Sequence, residues 1–143
     1  MKVPEGIRKA FHILSGVVFV VCLLRGCYWV ICPLSRSESQ VRKYVYKTVP
    51  YGTSWDEAVK LLENSHFPKV TLFEDHGVCL NVYSGQVWIG DTQEHGTANI
   101  GEKSIYVHLG HYYNPLWTDV IAYLAFDDDK LSHIEIEYQI DSL

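Results

Sequence analysis

The stretch VIAYLAFDDDKLSHIEIEYQI, residues 120–140, determines the fold class expected for this chain. Residues 120–126 are apolar at nearly every position, which is typical of a strand buried on both faces in the middle of a sheet. The polar run 127–130 predicts a tight turn. Residues 134–140 then alternate between apolar and polar side chains, which predicts a half-buried strand. The two strands should therefore pair antiparallel within a sheet.

A helix is predicted upstream, from Ser54 to Asn64. Ser54 followed by Glu57 has the spacing of a capping box, and the next apolar residues recur at helical intervals. The apolar residues are Trp55, Ala58, Val59, Leu61 and Leu62. For residues 41–49 the pattern fits a short helix or a strand, and the choice stays open.

Between the helix and the closing strands, apolar residues recur with a period of two. Residues 70–72, 78–82 and 87–89 are separated by turn signals and predict an antiparallel meander. The segment 90–103 contains three glycines and predicts a long loop, and residues 105–109 resume the alternation. One helix packed on an antiparallel sheet gives an α+β domain over residues 49–143.

The N-terminal part of the chain is more apolar. Residues 11–32 would span about 33 Å as a helix, enough to cross the hydrocarbon layer of a membrane. Arg25 lies near one end, where its long side chain can reach the headgroups. The sequence therefore predicts a basic tail over 1–9, a single-pass transmembrane helix over 10–32 and a tether over 33–48.

Two alternatives to an uncleaved transmembrane helix remain at this stage. Residues 24–27 resemble a lipoprotein box with Cys27 as the lipidated residue, and cleavage as an ordinary signal peptide is the third reading. The expected location is the bacterial inner membrane with the C-terminal domain outside the cytoplasm, or a lipoprotein anchored at Cys27. The positively charged residues on the two sides of the span are close to balanced, so they do not determine the orientation.

The charge distribution limits the class of partner. Residues 1–35 carry four basic and one acidic side chains, whereas residues 36–143 carry eight basic and sixteen acidic ones, a net charge of −8. Such a domain repels nucleic-acid phosphates. A protein partner is expected, with contact to the membrane only through residues 10–32. Three of the four cysteines lie in the apolar segment, so the domain has no disulfide framework, and Cys79 is expected to be buried.

The sequence contains no recognisable catalytic motif, and we expect no catalytic residue, no cofactor and no metal site. His76, Cys79, His108 and His111 form two pairs with metal-ligand spacing, which leaves a zinc enzyme or zinc sensor as an alternative. Residues three apart on a strand point to opposite faces, so each pair would converge only where a glycine bends the chain. The acidic run 127–129 lacks the spacing of a calcium loop.

The candidate binding residues lie in the stretch HYYNPLW, residues 111–117. Tyr112, Tyr113 and Trp117 flank an Asn-Pro pair in an expected loop. Aromatic side chains with polar tips bury a large area at a small entropic cost, and they are enriched at protein interfaces.

Two segments resemble the SmpA/OmlA (BamE-like) family of small bacterial envelope domains. Residues 49–62, VPYGTSWDEAVKLL, resemble the glycine, the cap and the short helix at the start of these domains. Residues 125–136, AFDDDKLSHIEI, resemble their closing hairpin. The resemblance implies an envelope-facing, non-catalytic domain with a helix packed on a sheet that works by binding other proteins. Residues 73–113 are not matched.

The leading hypothesis is therefore a membrane-anchored, non-catalytic protein-interaction module of the bacterial cell envelope. An immunity or inhibitor-type protein that neutralises a toxin or hydrolase is the second hypothesis, because small acidic sheet domains suit that task.

Overall fold

The computed structural model describes residues 14–24, 26–27, 32–90, 96–113 and 116–140. Residues 14–24 and 26–27 are helical (α1). A turn of 3-10 helix, Pro33–Ser35, follows, and then the helices α2 (Glu38–Thr48) and α3 (Trp55–Glu63). Seven strands come after the helices, and their bounds are β1 Lys69–Phe73, β2 Val78–Asn81, β3 Val87–Ile89, β4 Thr97–Ile100, β5 Lys103–Tyr113, β6 Trp117–Asp127 and β7 Lys130–Ile140.

The predicted transmembrane helix over residues 10–32 is wrong, and the single-pass membrane location that depended on it is wrong with it. Among the described residues, no helix combines the length and the hydropathy needed to cross a membrane. Residues 10–13, 25 and 28–31 of the predicted anchor lie outside the described part. Lipid attachment to Cys27 stays a prediction.

The larger sheet has four antiparallel strands in the order β1-β5-β6-β7. Strand β6 lies in its interior, paired over its length with β5 on one side and β7 on the other. This confirms the expectation from the apolar run 120–126, in which every residue is at most 5% exposed. The α+β class with antiparallel pairing is confirmed, although several helices accompany the sheet instead of one.

A second sheet of three strands, in the order β3-β2-β4, lies against one face of the larger sheet. The predicted meander is therefore wrong at its first step: β2 pairs with β3 and β4, whereas β1 pairs with β5. Part of the predicted loop 90–103 is strand β4, and residues 91–95 of that loop lie outside the described part. Local alternation identified these strands but carried no information on their partners.

Two hydrophobic clusters occupy the two faces of the larger sheet. The helix-facing cluster joins the valines of α2 and the apolar face of α3 to the even-numbered residues of β6. The outer cluster joins the three-stranded sheet to Ile121, Tyr123 and Ala125 of β6. The domain thus has three layers, with helices on one side of the larger sheet and the small sheet on the other. We call the side that carries Ile121 and Tyr123 the outer face.

Helix α2 occupies most of the segment expected to be a tether. Val41 and Val45 are 1% and 0% exposed, so this helix belongs to the core, and the open choice for residues 41–49 is resolved as helix. Helix α3 begins after Ser54 as predicted, but the Ser54 side chain makes no capping hydrogen bond. The main chain before α3 pairs instead with β7: the N–H of Gly52 donates to the carbonyl of Leu131 at 2.8 Å.

The β6–β7 turn contains only Asp128 and Asp129 between the paired residues Asp127 and Lys130. Both turn residues have positive φ, 48° and 59°, as two-residue hairpins with the right-handed strand twist require. Aspartate tolerates this conformation better than most residues. The acidic run therefore has a structural explanation as a hairpin turn.

Candidate functional site

The candidate site lies at the end of the long β5–β6 hairpin. Each strand has eleven residues, but β1 pairs with β5 only along 104–108. The far part of the hairpin, from Gly110 to Thr118, therefore extends beyond β1. Among the described strands, only β7 continues alongside it, with Ile140 opposite Thr118. This projection exposes side chains that would be covered elsewhere in the domain.

A bulge in β5 determines which residues share the outer face. The register shifts between His108 and Gly110, so that His108 opposes Ile121 and His111 opposes Asp119. Ile121 and Asp119 are two residues apart on β6 and lie on the same face. His108 and His111 therefore both lie on the outer face, although they are three residues apart. Gly110 has a φ of 130°, which disfavours residues with a side chain, so the glycine permits the bulge.

Three aromatic rings meet on the outer face near the hairpin turn. The ring of Trp117 lies 5.0 Å from that of His111 and 5.6 Å from that of Tyr113, with edge-to-face geometry in both pairs. Tyr113 is 49% exposed and Trp117 is 51% exposed. Leu116, next to Trp117, is 44% exposed. We call His111, Tyr113 and Trp117 the aromatic patch.

The structure divides the three predicted binding residues between two faces. Tyr113 and Trp117 are paired in register and lie on the outer face, whereas Tyr112 opposes Thr118 and points to the helix side. There Tyr112 packs on Tyr138, with ring centroids 6.5 Å apart. The expected loop is mostly strand, and residues 114 and 115 lie outside the described part. Tyr112 thus packs against the core, and the residue that lies beside Tyr113 and Trp117 on the outer face is His111.

Polar side chains continue the outer face next to the aromatic patch. The His108 Nε2 lies 3.2 Å from an Asp119 carboxylate oxygen. Between β6 and β7, the Tyr123 hydroxyl donates to the Glu137 carboxylate at 2.8 Å. The Gln139 side-chain amide, also on β7, donates to the same carboxylate at 3.1 Å. Burial, and then the hydrogen bond to Glu137, raise the pKa of Tyr123 well above its ordinary value.

The sequence reasoning did not select Asp119 or Glu137. Both are single acidic residues in strands that were interpreted only by their apolar alternation. Their juxtaposition with His108 and Tyr123 depends on the register between β5, β6 and β7. The alternation in residues 134–140 does predict that Glu135, Glu137 and Gln139 share one face of β7, and this is the only signal in the sequence that points to Glu137.

The four residues of the zinc alternative do not gather. Cys79 is fully buried in β2, and its thiol lies 2.6 Å from the Gly90 carbonyl and 2.9 Å from the Asn99 side-chain oxygen. His108 is paired with Asp119 and the His111 ring packs edge-to-face on Trp117, both on the larger sheet. His76 lies in the segment before β2, where its main-chain carbonyl accepts from the Ser104 hydroxyl at 2.6 Å. Within the described ranges, no group of three or more histidine, cysteine or acidic residues has an arrangement that could hold a metal ion.

The fold and site define an α+β domain with helices and a small sheet on opposite faces of a four-stranded sheet, and with an aromatic patch at one end. No protein-family model, curated protein or solved structure matches the chain. The resemblance to the SmpA/OmlA family stays a prediction.

Proposed function

We propose that this chain is a non-catalytic protein-interaction module that binds its partner through the aromatic patch. The observation that carries the proposal is the packing of Tyr113 and Trp117 on each other at the end of a projecting hairpin while each remains about half exposed. Aromatic rings held by a rigid strand pair lose little conformational entropy on binding, which is typical of interface anchor residues.

The area of the patch is sufficient for a binding centre. Large aromatic side chains bury about 150–250 Å² each, so the exposed halves of Tyr113 and Trp117 offer roughly 200 Å². At about 25 cal/mol per Å², their burial would contribute about 5 kcal/mol before the costs of association are subtracted. Leu116 would add to the apolar centre.

The surroundings of the patch indicate the chemistry of the partner. Asp119 lies next to His111 in the register, and Glu137 follows on the outer face of β7. An apolar centre beside carboxylates suits a partner surface with an apolar side chain flanked by lysine or arginine. The net charge of −8 over residues 36–143 favours the same partner through long-range attraction.

The test places a photo-crosslinking amino acid at position 116, beside the patch, in the full-length chain and identifies the captured protein. The purified partner is then titrated with Trp117→Ala, and the affinity should fall by about 30-fold, since anchor residues contribute about 2 kcal/mol or more. Tyr83→Ala is the matched control, because Tyr83 is 80% exposed on the turn after β2. Equal affinities of the two variants would refute the patch as the binding surface.

The inhibitor hypothesis is supported by the acidic side chains of the outer face. Asp119 and Glu137 lie on that face of β6 and β7 and could cover a basic active site or nucleic-acid-binding surface of a toxin. Here the captured partner would be a hydrolase or toxin, and adding the chain would abolish its activity in a purified assay. A partner whose activity is unchanged at saturating chain would exclude this second function.

A further inference from the structure

A second candidate site lies on the helix side of the larger sheet, in a groove along one face of α2. Its volume is about 290 Å³, at the lower end of the range for small-molecule sites. The described lining residues are Pro33, Arg36, Gln40, Lys43, Tyr44 and Lys47. Gln40, Lys43, Tyr44 and Lys47 share one face of α2 by their spacing, and we call this feature the basic groove.

The polar side chains of the basic groove can all donate hydrogen bonds, and none is a carboxylate. Among the described residues, no ion pair or hydrogen bond joins the side chain of Arg36, Lys43 or Lys47 to an acid. The single acid of the segment, Glu38, is paired with Arg42, which also reaches Glu135 at 3.2 Å. Within the described ranges, the groove cations therefore lack the neutralising partners that Arg42 has.

This arrangement is electrostatically costly without a ligand. Lys43 and Lys47 are four residues apart on one helix, a spacing at which like charges destabilise by roughly 0.2–0.5 kcal/mol. Residues 36–48 carry four basic and one acidic side chains, whereas residues 49–143 carry four basic and fifteen acidic ones. Positive charge is thus concentrated in residues 36–48, on α2 and just before it, and an anion in the groove would relieve the repulsion.

We propose that the basic groove binds a phosphate ester. A guanidinium can hold two phosphate oxygens at once, and ammonium groups bind phosphate as point charges. The Gln40 amide and the Tyr44 hydroxyl supply uncharged donors. Phosphate esters occur both in free metabolites and in lipid headgroups, and the groove volume leaves room for an organic part beside the phosphate.

The basic groove is separate from the aromatic patch. Helix α2 packs its valines on the helix-facing cluster, whereas the patch lies on the outer face of the same sheet. Loss of one site should therefore leave the other unchanged, and failure of the proposed protein-binding function would not affect this inference.

The test titrates the full-length chain with glycerol 3-phosphate by calorimetry and sediments it with vesicles of phosphatidylglycerol in phosphatidylcholine. Lys43→Gln/Lys47→Gln should weaken binding by at least about tenfold, since charge-assisted hydrogen bonds to phosphate are lost. The control Lys60→Gln/Lys130→Gln removes the same charge from exposed positions outside the groove and should bind as the unmodified chain does.

Binding of glycerol 3-phosphate would identify free phosphate esters as the ligand class, and binding to the anionic vesicles alone would identify a lipid phosphate. The inference is overturned if neither probe binds, if the two double variants bind alike, or if phosphatidylcholine vesicles bind as well as anionic ones. Binding of poly-glutamate without binding of either phosphate probe would overturn it too. Arg36→Gln, outside α2, repeats the test should the groove variant fail to fold.

Discussion

Gly77 shows how a single residue controls the approach of two segments within the small sheet. A β-carbon at this position would lie 2.1 Å from the Gly101 carbonyl oxygen and 2.8 Å from that of Ile100. Both obstacles are backbone atoms, which cannot rotate away as a flexible side chain can. The absence of a side chain at Gly77 thus allows the chain before β2 to pass close to the end of β4.

Gly77→Ala should destabilise the domain by about 1–3 kcal/mol, since overpacking against backbone forces strands apart. The measurement is urea unfolding followed by circular dichroism. Gly16→Ala is the control, because a β-carbon there meets no atom within 4 Å, and alanine favours the helical state of α1. If both variants unfolded at the same urea concentration, the close approach at Gly77 would not limit stability.

The Tyr123–Glu137 hydrogen bond makes stability depend on alkaline pH. Burial and the bond to Glu137 raise the pKa of Tyr123, and burial raises that of Tyr138 to about 12. A group whose pKa is higher in the folded state contributes its full stability below the unfolded value, here about 10 for tyrosine, and loses it as the pH rises further.

We therefore expect the free energy of unfolding to be level near pH 8–9 and to fall above about pH 10. Tyr123→Phe should reduce this decline, and at neutral pH it should cost about 1.5–3 kcal/mol, because it removes a hydrogen bond to a charged acceptor. Urea unfolding at a series of pH values measures both effects. A decline of unchanged steepness in Tyr123→Phe would show that other groups cause the alkaline loss.

At the scale of elements, α2 combines two roles on different faces. Val41 and Val45 are buried against the sheet, whereas the basic groove and Arg42 occupy the remaining faces. Most residues of this helix are polar, so its packing on the larger sheet depends on a few apolar contacts. Packing of the valines is what holds the groove residues in place.

Val45→Ala should lower the free energy of unfolding by about 2 kcal/mol, because it removes two buried methyl groups and leaves a small cavity. Ser39→Ala, at an exposed position of the same helix, should change it by no more than about 0.5 kcal/mol. Thermal unfolding of the two variants beside the unmodified chain provides the comparison. A cost below 0.5 kcal/mol for Val45→Ala would mean that α2 detaches without loss to the domain.

The bulge in β5 determines which side chains of this strand lie on the outer face. Shifting a strand by one residue exchanges its two faces, and the irregularity between His108 and Gly110 makes such a shift within one strand. Before it, the outer face carries Tyr106 and His108; after it, His111 and Tyr113. The aromatic patch exists as a unit because of this shift.

In the whole molecule, β6 has protein on both faces and a paired strand on both edges. Its residues 120–126 should therefore exchange amide hydrogens only through global unfolding. Residues 14–24 of α1 should exchange orders of magnitude faster, since their side chains are all exposed. Hydrogen exchange followed by mass spectrometry measures both, and slow exchange in α1 would show that this helix is packed on a surface.

The sequence alone determined the elements whose signals are local. The buried strand β6, the tight turn within residues 127–130, the alternating strand β7 and the helix after Ser54 follow from side-chain periodicity and from the backbone preferences of a few residues. The apolar stretch at the N-terminus is a local signal too, but the membrane span that it predicted is wrong, since no helix among the described residues combines the length and the hydropathy to cross a membrane.

Only the tertiary structure determined which strands pair and which residues lie together in the candidate site. Strand β1 pairs with β5 across the chain segment that forms the small sheet, and no local pattern distinguishes that partner from β2. Likewise, the separation of Tyr112 from Tyr113 and Trp117, and the approach of His108 to Asp119, depend on a register set by long-range hydrogen bonds. Side-chain periodicity specifies which face of a strand is apolar, whereas the neighbour of that face is determined by the packing of the entire domain.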